Sequence, residues 1–293
     1  MSTPHPQQAP SPVPPQGAPQ QGAPYDHGQG LPGAAYTSPI PIKRTHLGNA
    51  IVSEWTKIRS VRSTVWTITI FLLLVVGTGL IIAANTKAQD YAEVPYTLPA
   101  FFGLILGQIC LITLGVLVVS SEYGTGMIRT TMTASPQRSR VLAAKFLVFF
   151  VVAFTVSALA IGLVGLFTSG MHDDGSVESV PMGGTLLKGS LYVSLLGVLA
   201  LAVGALLRHS AGAITAMLGL VLVPAILPAF LMISESTRDI GEKMLEYNAP
   251  NSLAKVFQLE SGSGGGTPQL WLLAGITVAA IVGAFIRLES RDV

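Results

Sequence analysis

The chain has 293 residues, of which 50% are hydrophobic and 11% are charged, and its formal net charge is +2. Soluble proteins carry roughly 25% charged residues, so this composition excludes an ordinary soluble globular protein. The hydrophobic residues are instead collected into long runs without charge, which is the pattern of membrane-spanning helices.

Residues 1–42 form a segment rich in Pro, Gln and Gly that contains neither Lys nor Arg. Such a composition cannot bury a hydrophobic core, so we expect a disordered cytoplasmic tail. Residues 43–293 are predicted to form one membrane domain.

The first predicted helix, residues 46–62, is amphipathic. Leu47, Ile51, Trp55 and Ile58 recur at helical spacing and therefore share one apolar face. Such a helix lies in the headgroup region of a membrane, with Trp55 at the interface and its basic residues near anionic lipid. These basic residues are Lys57, Arg59 and Arg62.

Glu54 interrupts this apolar face, because a rotation of about 100° per residue places it within the stripe. It is either solvated at the edge of the face or paired with a basic residue of a neighbouring cytoplasmic segment. The helical pattern leaves both alternatives open.

Six hydrophobic runs are each long enough to cross a membrane core of about 30 Å at about 1.5 Å per residue. Their interiors lack Asp, Glu, Lys, Arg and His, which argues against a proton-driven pump or an ion channel. In the second run, Gly103 and Gly107 would allow close helix approach, for example at a dimer interface. The runs cover residues 65–84, 99–119, 146–168, 186–207, 211–233 and 269–288.

The basic residues predict the orientation. With six spans and the N-terminus inside, twelve of the 17 Lys and Arg residues lie on the cytoplasmic side, together with both termini. This bias obeys the positive-inside rule and predicts a multi-pass membrane protein with both termini in the cytoplasm. The cytoplasmic set is Lys43, Arg44, Lys57, Arg59, Arg62, Arg129, Arg138, Arg140, Lys145, Arg208, Arg287 and Arg291.

The loop between the second and third spans, residues 120–145, carries the strongest local signals. Glu122 directly follows an apolar helix, so its burial would require a partner. Gly124 and Gly126 permit a sharp change in backbone direction after it.

Ser135 and Pro136 then form a helix-start signature. These features predict a compact structured element at the cytoplasmic face. A plain basic loop that anchors the chain to the membrane is the alternative, since the next span is flanked by Arg138, Arg140 and Lys145.

No residues have the spacing of a catalytic or metal site. The five histidines lack metal-ligand spacing, and the Gly-rich residues 261–267 lack the Gly-Lys-Ser/Thr end of a phosphate-binding loop. We therefore expect no enzymatic activity, metal, cofactor or nucleic-acid partner for this chain.

Two stretches resemble the permease subunits of type-2 ATP-binding-cassette (ABC) exporters. The first is residues 53–60 (SEWTKIRS) with Arg62. The second is residues 121–129 (SEYGTGMIR), followed by residues 135–138 (SPQR) and 143–145 (AAK). The resemblance covers the chain from about residue 43 onward and excludes the Pro- and Gln-rich tail.

The resemblance implies an all-α fold of six transmembrane helices with an amphipathic N-terminal interfacial helix and a cytoplasmic coupling helix. It implies a substrate pathway formed with a second permease, either another copy or a related chain, and driven by a separate ABC ATPase subunit. A helical or re-entrant element before the last span is also implied, at about residues 234–260. Pro224 and Pro228 would then kink the fifth span.

In the resemblance, residues 122–135 match the coupling helix that docks on the ATPase, and residues 46–62 match the connecting helix beside it. Glu122 and Arg129 would fix the coupling element in place. The ATPase-coupling residues would be Glu122, Tyr123, Gly124, Thr125, Gly126, Met127, Arg129, Pro136 and Arg138. The residues of the interfacial helix would be Glu54, Trp55, Lys57, Arg59 and Arg62.

Three other functions are compatible with six spans. A stand-alone secondary transporter would be expected to show repeat symmetry or intramembrane charges, and neither is visible. An intramembrane enzyme would need a nucleophile–base pair at depth, which the spans lack. A membrane anchor or sensor subunit stays open, and so does the identity of the substrate.

Overall fold

The structure is a computed structural model that describes residues 46–134, 137–172, 180–259 and 264–290. These ranges are helical and contain no β-strand. The predicted tail, residues 1–42, lies outside the described residues, as do Ser135 and Pro136.

Six of the helices are long and apolar enough to cross a membrane, so the chain is an all-α, multi-pass membrane protein, as predicted. The α-helices are α1 (Leu47–Ser60), α2 (Arg62–Ala84), α3 (Pro99–Gly124), α4 (Met127–Ala134), α5 (Arg138–His172), α6 (Met182–Leu207), α7 (Ser210–Ile226), α8 (Pro228–Leu231), α9 (Arg238–Tyr247), α10 (Ala249–Val256) and α11 (Thr267–Glu289). The six membrane-spanning helices are α2, α3, α5, α6, α7 with its continuation α8, and α11.

Helix α6 is the centre of the bundle. It packs against α3, α5, α7 and α11, and 72% of the residues in its most hydrophobic 18-residue stretch are buried. The corresponding fraction is 17% for α2 and 22% for α11, so these helices lie at the periphery. Their outward side chains, such as Leu73 and Ile81, are apolar and exposed, as lipid-facing residues are.

Two glycines of α3 allow the peripheral helix α2 to pack closely on it. A Cβ atom on Gly103 would lie 2.6 Å from Cα of Val75, and one on Gly107 would lie 2.9 Å from a methyl of the same valine. The pair therefore permits close packing of α2 on α3 within the chain. This corrects the suggestion of a dimer interface at Gly103 and Gly107, because α2 covers that face.

The fifth span is interrupted before Pro228 but continues to Leu231, close to the predicted end at residue 233. Helix α7 ends at Ile226, and the short α8 follows the break at Leu227. Pro228 lacks the N–H that would bond to the carbonyl of Pro224 four residues before it. Instead, the buried Asn248 side chain donates to that carbonyl at 3.5 Å, so a neighbouring element satisfies the freed backbone group.

The polar segment before the last span is helical, as the resemblance implies. Helices α9 and α10 are both amphipathic and lie at the end of the bundle where α7 ends and α11 begins. Asn248 begins α10, because its side chain accepts a hydrogen bond of 2.7 Å from the backbone N–H of Asn251.

At the other end of the bundle, the observed helices extend beyond the predicted spans. Helix α3 continues to Gly124 rather than residue 119, and α5 begins at Arg138 rather than residue 146. Glu122 and Lys145 are therefore held on rigid helical turns instead of loops. Because the six spans alternate in direction, the start of α2, the end of α3 and the start of α5 lie at the same end.

Candidate functional site

Four charged side chains meet at this end of the bundle and form a closed ring. Lys57 donates to Glu54 at 2.8 Å and to Glu122 at 2.9 Å. Lys145 donates to the same two carboxylates, at 2.7 Å and 2.6 Å respectively. We call Glu54, Lys57, Glu122 and Lys145 the charge quartet, and the end of the bundle that carries it the quartet face.

The quartet is buried. Glu54 and Lys145 are each 3% exposed and Glu122 is 6% exposed, whereas the side chain of Lys57 is 29% exposed. Removing such ions from water costs several kcal/mol each, which only good pairing offsets. Two carboxylates alternate with two ammonium groups around the ring, so its formal charge is zero and each ion contacts two of opposite sign.

The quartet joins three separate parts of the chain. Glu54 and Lys57 lie on α1, Glu122 lies in the last turn of α3, and Lys145 lies two turns into α5. Glu54 and Lys145 are 91 residues apart in sequence. Of the two alternatives for Glu54, the structure therefore has the pairing with a neighbouring segment.

Lys57 occupies a different place from the one suggested by the helical pattern. It was assigned to the lipid-facing basic residues, but it lies in the quartet. Burial lowers the pKa of Lys57, but hydrogen bonds to Glu54 and Glu122 and attraction to their negative charges together raise that pKa by more, so the result lies above the usual 10.5. Lys57 is therefore fully charged at neutral pH.

The short helix α4 lies between the two spans that the quartet joins. Gly126 has a φ of +73°, a left-handed conformation that separates α4 from α3 and suits glycine. Ile128 is buried and, with Val141 and Leu142 of α5, lines a small cavity beside the quartet. Met127 and Thr130 are exposed, so α4 presents a surface away from the bundle.

Tyr123 connects the end of α3 to a further part of the bundle. The guanidinium carbon of Arg208 lies 5.1 Å from the centre of its ring, which is a cation–π contact. Arg208 occupies the tight turn between α6 and α7 and has a φ of +55°. The last turn of α3 is thus held by α1, α5 and the α6–α7 turn.

The other predicted coupling residues are placed as follows. Gly124 ends α3, the hydroxyl of Thr125 donates to the carbonyl of Ser121 at 2.8 Å, and Arg138 is half-buried at the start of α5. Glu122, Tyr123 and Gly124 therefore belong to the span itself, and the separate short helix begins only at Met127. The Arg129 side chain and Pro136 lie outside the described residues.

On the predicted interfacial helix, Trp55, Arg59 and Arg62 are exposed. Trp55 is 45% exposed and Leu47 is 42% exposed, whereas Ile51 and Ile58 are half-buried, so only part of the apolar stripe faces away from the bundle. The inward face is centred on Glu54, the one buried residue of α1. This arrangement suits a helix that packs on the bundle through charge pairs and presents apolar groups to a membrane surface.

Lys145 is the member of the quartet that the sequence reasoning left out of the site. The sequence places it among the basic residues that flank the third span, because that span is predicted to begin after it. A signal was present, since Val141, Leu142, Lys145, Val148 and Phe149 follow helical spacing and are all buried. Lys145 thus interrupts an apolar stripe on α5 in the same way that Glu54 interrupts one on α1.

A polar cavity of about 380 Å³ lies on one side of the quartet, between α1, α4 and the start of α5. Its lining includes Asn49, Ser53, Thr130, Thr131 and Arg140. The cavity is open, so polar groups of α1 and α4 face a common solvent-filled groove. Among the described residues, no three His, Cys, Asp or Glu side chains are grouped to hold a metal ion.

No protein-family model matches this chain, and no curated protein has a matching sequence. The resemblance to exporter permeases therefore rests on the two motifs and on the number of spans. The structure adds that the two motifs contact each other, because each contributes to the quartet.

Proposed function

We propose that this chain is the transmembrane permease subunit of a type-2 ABC exporter, which forms the substrate pathway as a dimer and is driven by a separate ATPase subunit. The main support for the proposal is the quartet, whose ion pairs link α1, α3 and α5. The short helix α4 lies between α3 and α5 in the chain. In this proposal α4 is the coupling helix that docks on the ATPase.

A coupling element must bind a moving partner and pass that movement to the spans. Helix α4 has the required connections, because α3 and α5 precede and follow it directly and are held together by the Glu122–Lys145 pair of 2.6 Å. A force applied to α4 would therefore move α1, α3 and α5 as one unit. Movement of these helices would open and close the substrate pathway in a cycle of alternating access.

The proposal assigns the quartet face to the cytoplasm of a bacterial cell, with both termini on that side of the plasma membrane. The excess of Lys and Arg on this side supports the assignment. It is tested by placing single cysteines at Thr130 and Lys243 in a Cys110→Ser background. In intact cells, a membrane-impermeant thiol reagent should label Lys243→Cys and leave Thr130→Cys unlabelled, and the reverse pattern would contradict the orientation.

The peripheral position of α2, α7 and α11 supports a second permease. Fewer than a quarter of the residues in the hydrophobic windows of these helices are buried in the single chain (17%, 17% and 22%). Such helices have apolar faces that either lipid or a second permease would cover. A dimer would place the substrate pathway between two such faces.

The direct test is purification of the tagged chain from its native membrane in mild detergent, followed by identification of the proteins that co-purify. We expect a stoichiometric chain that contains a phosphate-binding loop of the Gly-Lys-Ser/Thr type. A matched sample carrying Lys145→Met should lose this partner while the chain stays in the membrane fraction. Consistent absence of any ATPase from the unmodified sample would contradict the proposal and favour a stand-alone transporter or an anchor subunit.

A further inference from the structure

A second cavity, of about 270 Å³, opens on the quartet from a different side. It lies between α1, the start of α2 and the end of α3. Its walls are mainly apolar and include Leu114, Leu117 and Val118, whereas Lys57 and Glu122 provide a charged end. A cavity of this form fits an amphiphile, because one end is apolar and the other is ionic.

At the charged end, one acceptor oxygen of Glu122 and one N–H donor of Lys57 make no hydrogen bond within the quartet. Oxygen Oε1 of Glu122 accepts from both lysines, but Oε2 is buried and has no hydrogen-bond partner among the described residues. An unsatisfied buried carboxylate oxygen is unfavourable, so it indicates a missing donor. Lys57 has three N–H donors, of which Glu54 and Glu122 take two.

Glu122 lines this cavity and does not line the polar cavity on the α4 side. A donor that reaches Oε2 must therefore come from the apolar side. Met127 also lines the cavity, and its flexible side chain is 49% exposed. A flexible methionine at this position can change rotamer as a ligand group enters the cavity.

We infer that this cavity binds a phospholipid whose headgroup carries an N–H or O–H donor. The donor bonds to Oε2 of Glu122, a phosphate oxygen accepts the third N–H of Lys57, and an acyl chain lies along the wall formed by Leu114, Leu117 and Val118. The apolar walls favour an amphiphile over free phosphate, since they offer phosphate no compensation for lost hydration. The neighbouring α2 and α3 cross the membrane, so lipid is always within reach.

The inference is tested on the purified full-length chain alone, without an ATPase, so its failure would leave the proposed function intact. Phosphatidylethanolamine, phosphatidylglycerol and phosphatidylcholine with identical acyl chains are titrated into delipidated protein in detergent. Bound lipids are counted by native mass spectrometry. The first two headgroups carry a donor, whereas the choline headgroup carries the same phosphate and no donor.

We expect the two donor-bearing lipids to bind about tenfold more tightly than phosphatidylcholine, the difference expected for one hydrogen bond to a charged group. Leu117→Trp should abolish this preference, because the larger side chain occupies the apolar part of the cavity in which the acyl chain lies. Ile109→Trp places the same side chain on an exposed face of α3 outside the cavity and should retain the preference. Equal binding of all three lipids, or an unchanged preference in Leu117→Trp, would overturn the inference.

Discussion

Substitution of Lys145 by methionine is the sharpest perturbation of the quartet. Methionine keeps most of the buried volume but removes the charge. Glu54 Oε2 then loses its donor, Glu122 keeps only Lys57, and the buried cluster changes from neutral to one net negative charge. Breaking a buried ion pair on one side costs about 3–5 kcal/mol, and the 3% exposure of Lys145 places it in that class.

The loss is measured as the free energy of unfolding in mixed micelles with increasing SDS, with helicity followed by circular dichroism. The exposed Lys243 on α9 provides the control, because Lys243→Met should change the free energy of unfolding by no more than about 0.5 kcal/mol.

Adding Glu54→Gln to Lys145→Met removes the carboxylate whose Oε2 has lost its donor and returns the cluster to zero net charge. The double variant should therefore be more stable than the sum of the two single changes predicts. A loss below about 1 kcal/mol for Lys145→Met, or simple additivity in the double variant, would refute the view that the four charges act as one buried unit.

Three further predictions use related measurements. Gly115→Ala should destabilise the fold by about 1–3 kcal/mol in the same unfolding assay, because its Cβ would overlap a backbone carbonyl of α6, whereas Gly77→Ala, with open space around it, should not. The folded-state pKa of Lys57 is raised above 10.5, so its contribution to stability is complete at neutral pH and is lost as the pH rises through that pKa. The free energy of unfolding should therefore decline in the alkaline range, and the decline should be smaller in Lys57→Met. Arg138→Glu should leave the amount of membrane-inserted protein unchanged but reduce export and permease-stimulated ATP hydrolysis, and normal export would remove Arg138 from the coupling element.

The spans could be predicted because each is encoded by one continuous run of residues. About twenty apolar residues without charge are sufficient to identify such a helix, and all six were found. The boundaries at the quartet face were the less accurate part. Glu122 and Lys145 are polar, so hydropathy places them outside the span, although both lie on the helices that form the spans.

The pairing within the quartet could not be derived from local patterns. Glu54 was recognised as misplaced in an apolar stripe, but its partner Lys145 lies 91 residues away, and helical spacing carries no information at that distance. Two opposite charges that each interrupt an apolar stripe at the same membrane face are a usable signal. Applied to α1 and α5, it would have predicted the Glu54–Lys145 contact.

The small-residue pair illustrates a different limit. Gly103 and Gly107 correctly indicated close helix approach, but the pattern does not identify which helix approaches. In the structure that helix is α2 of the same chain. A sequence motif for proximity therefore needs the fold before it can be assigned to a subunit interface.

Site-specific photo-crosslinking in native membranes tests the proposed contact between α4 and an ATPase. A photoreactive residue is placed at Thr130, on the exposed part of α4, and in a control at the exposed Ile240 of α9 at the other end of the bundle. We expect Thr130 to crosslink to a chain with a phosphate-binding loop and Ile240 not to do so. The absence of a nucleotide-binding chain at Thr130, or equal capture at Ile240, would contradict docking of an ATPase on α4.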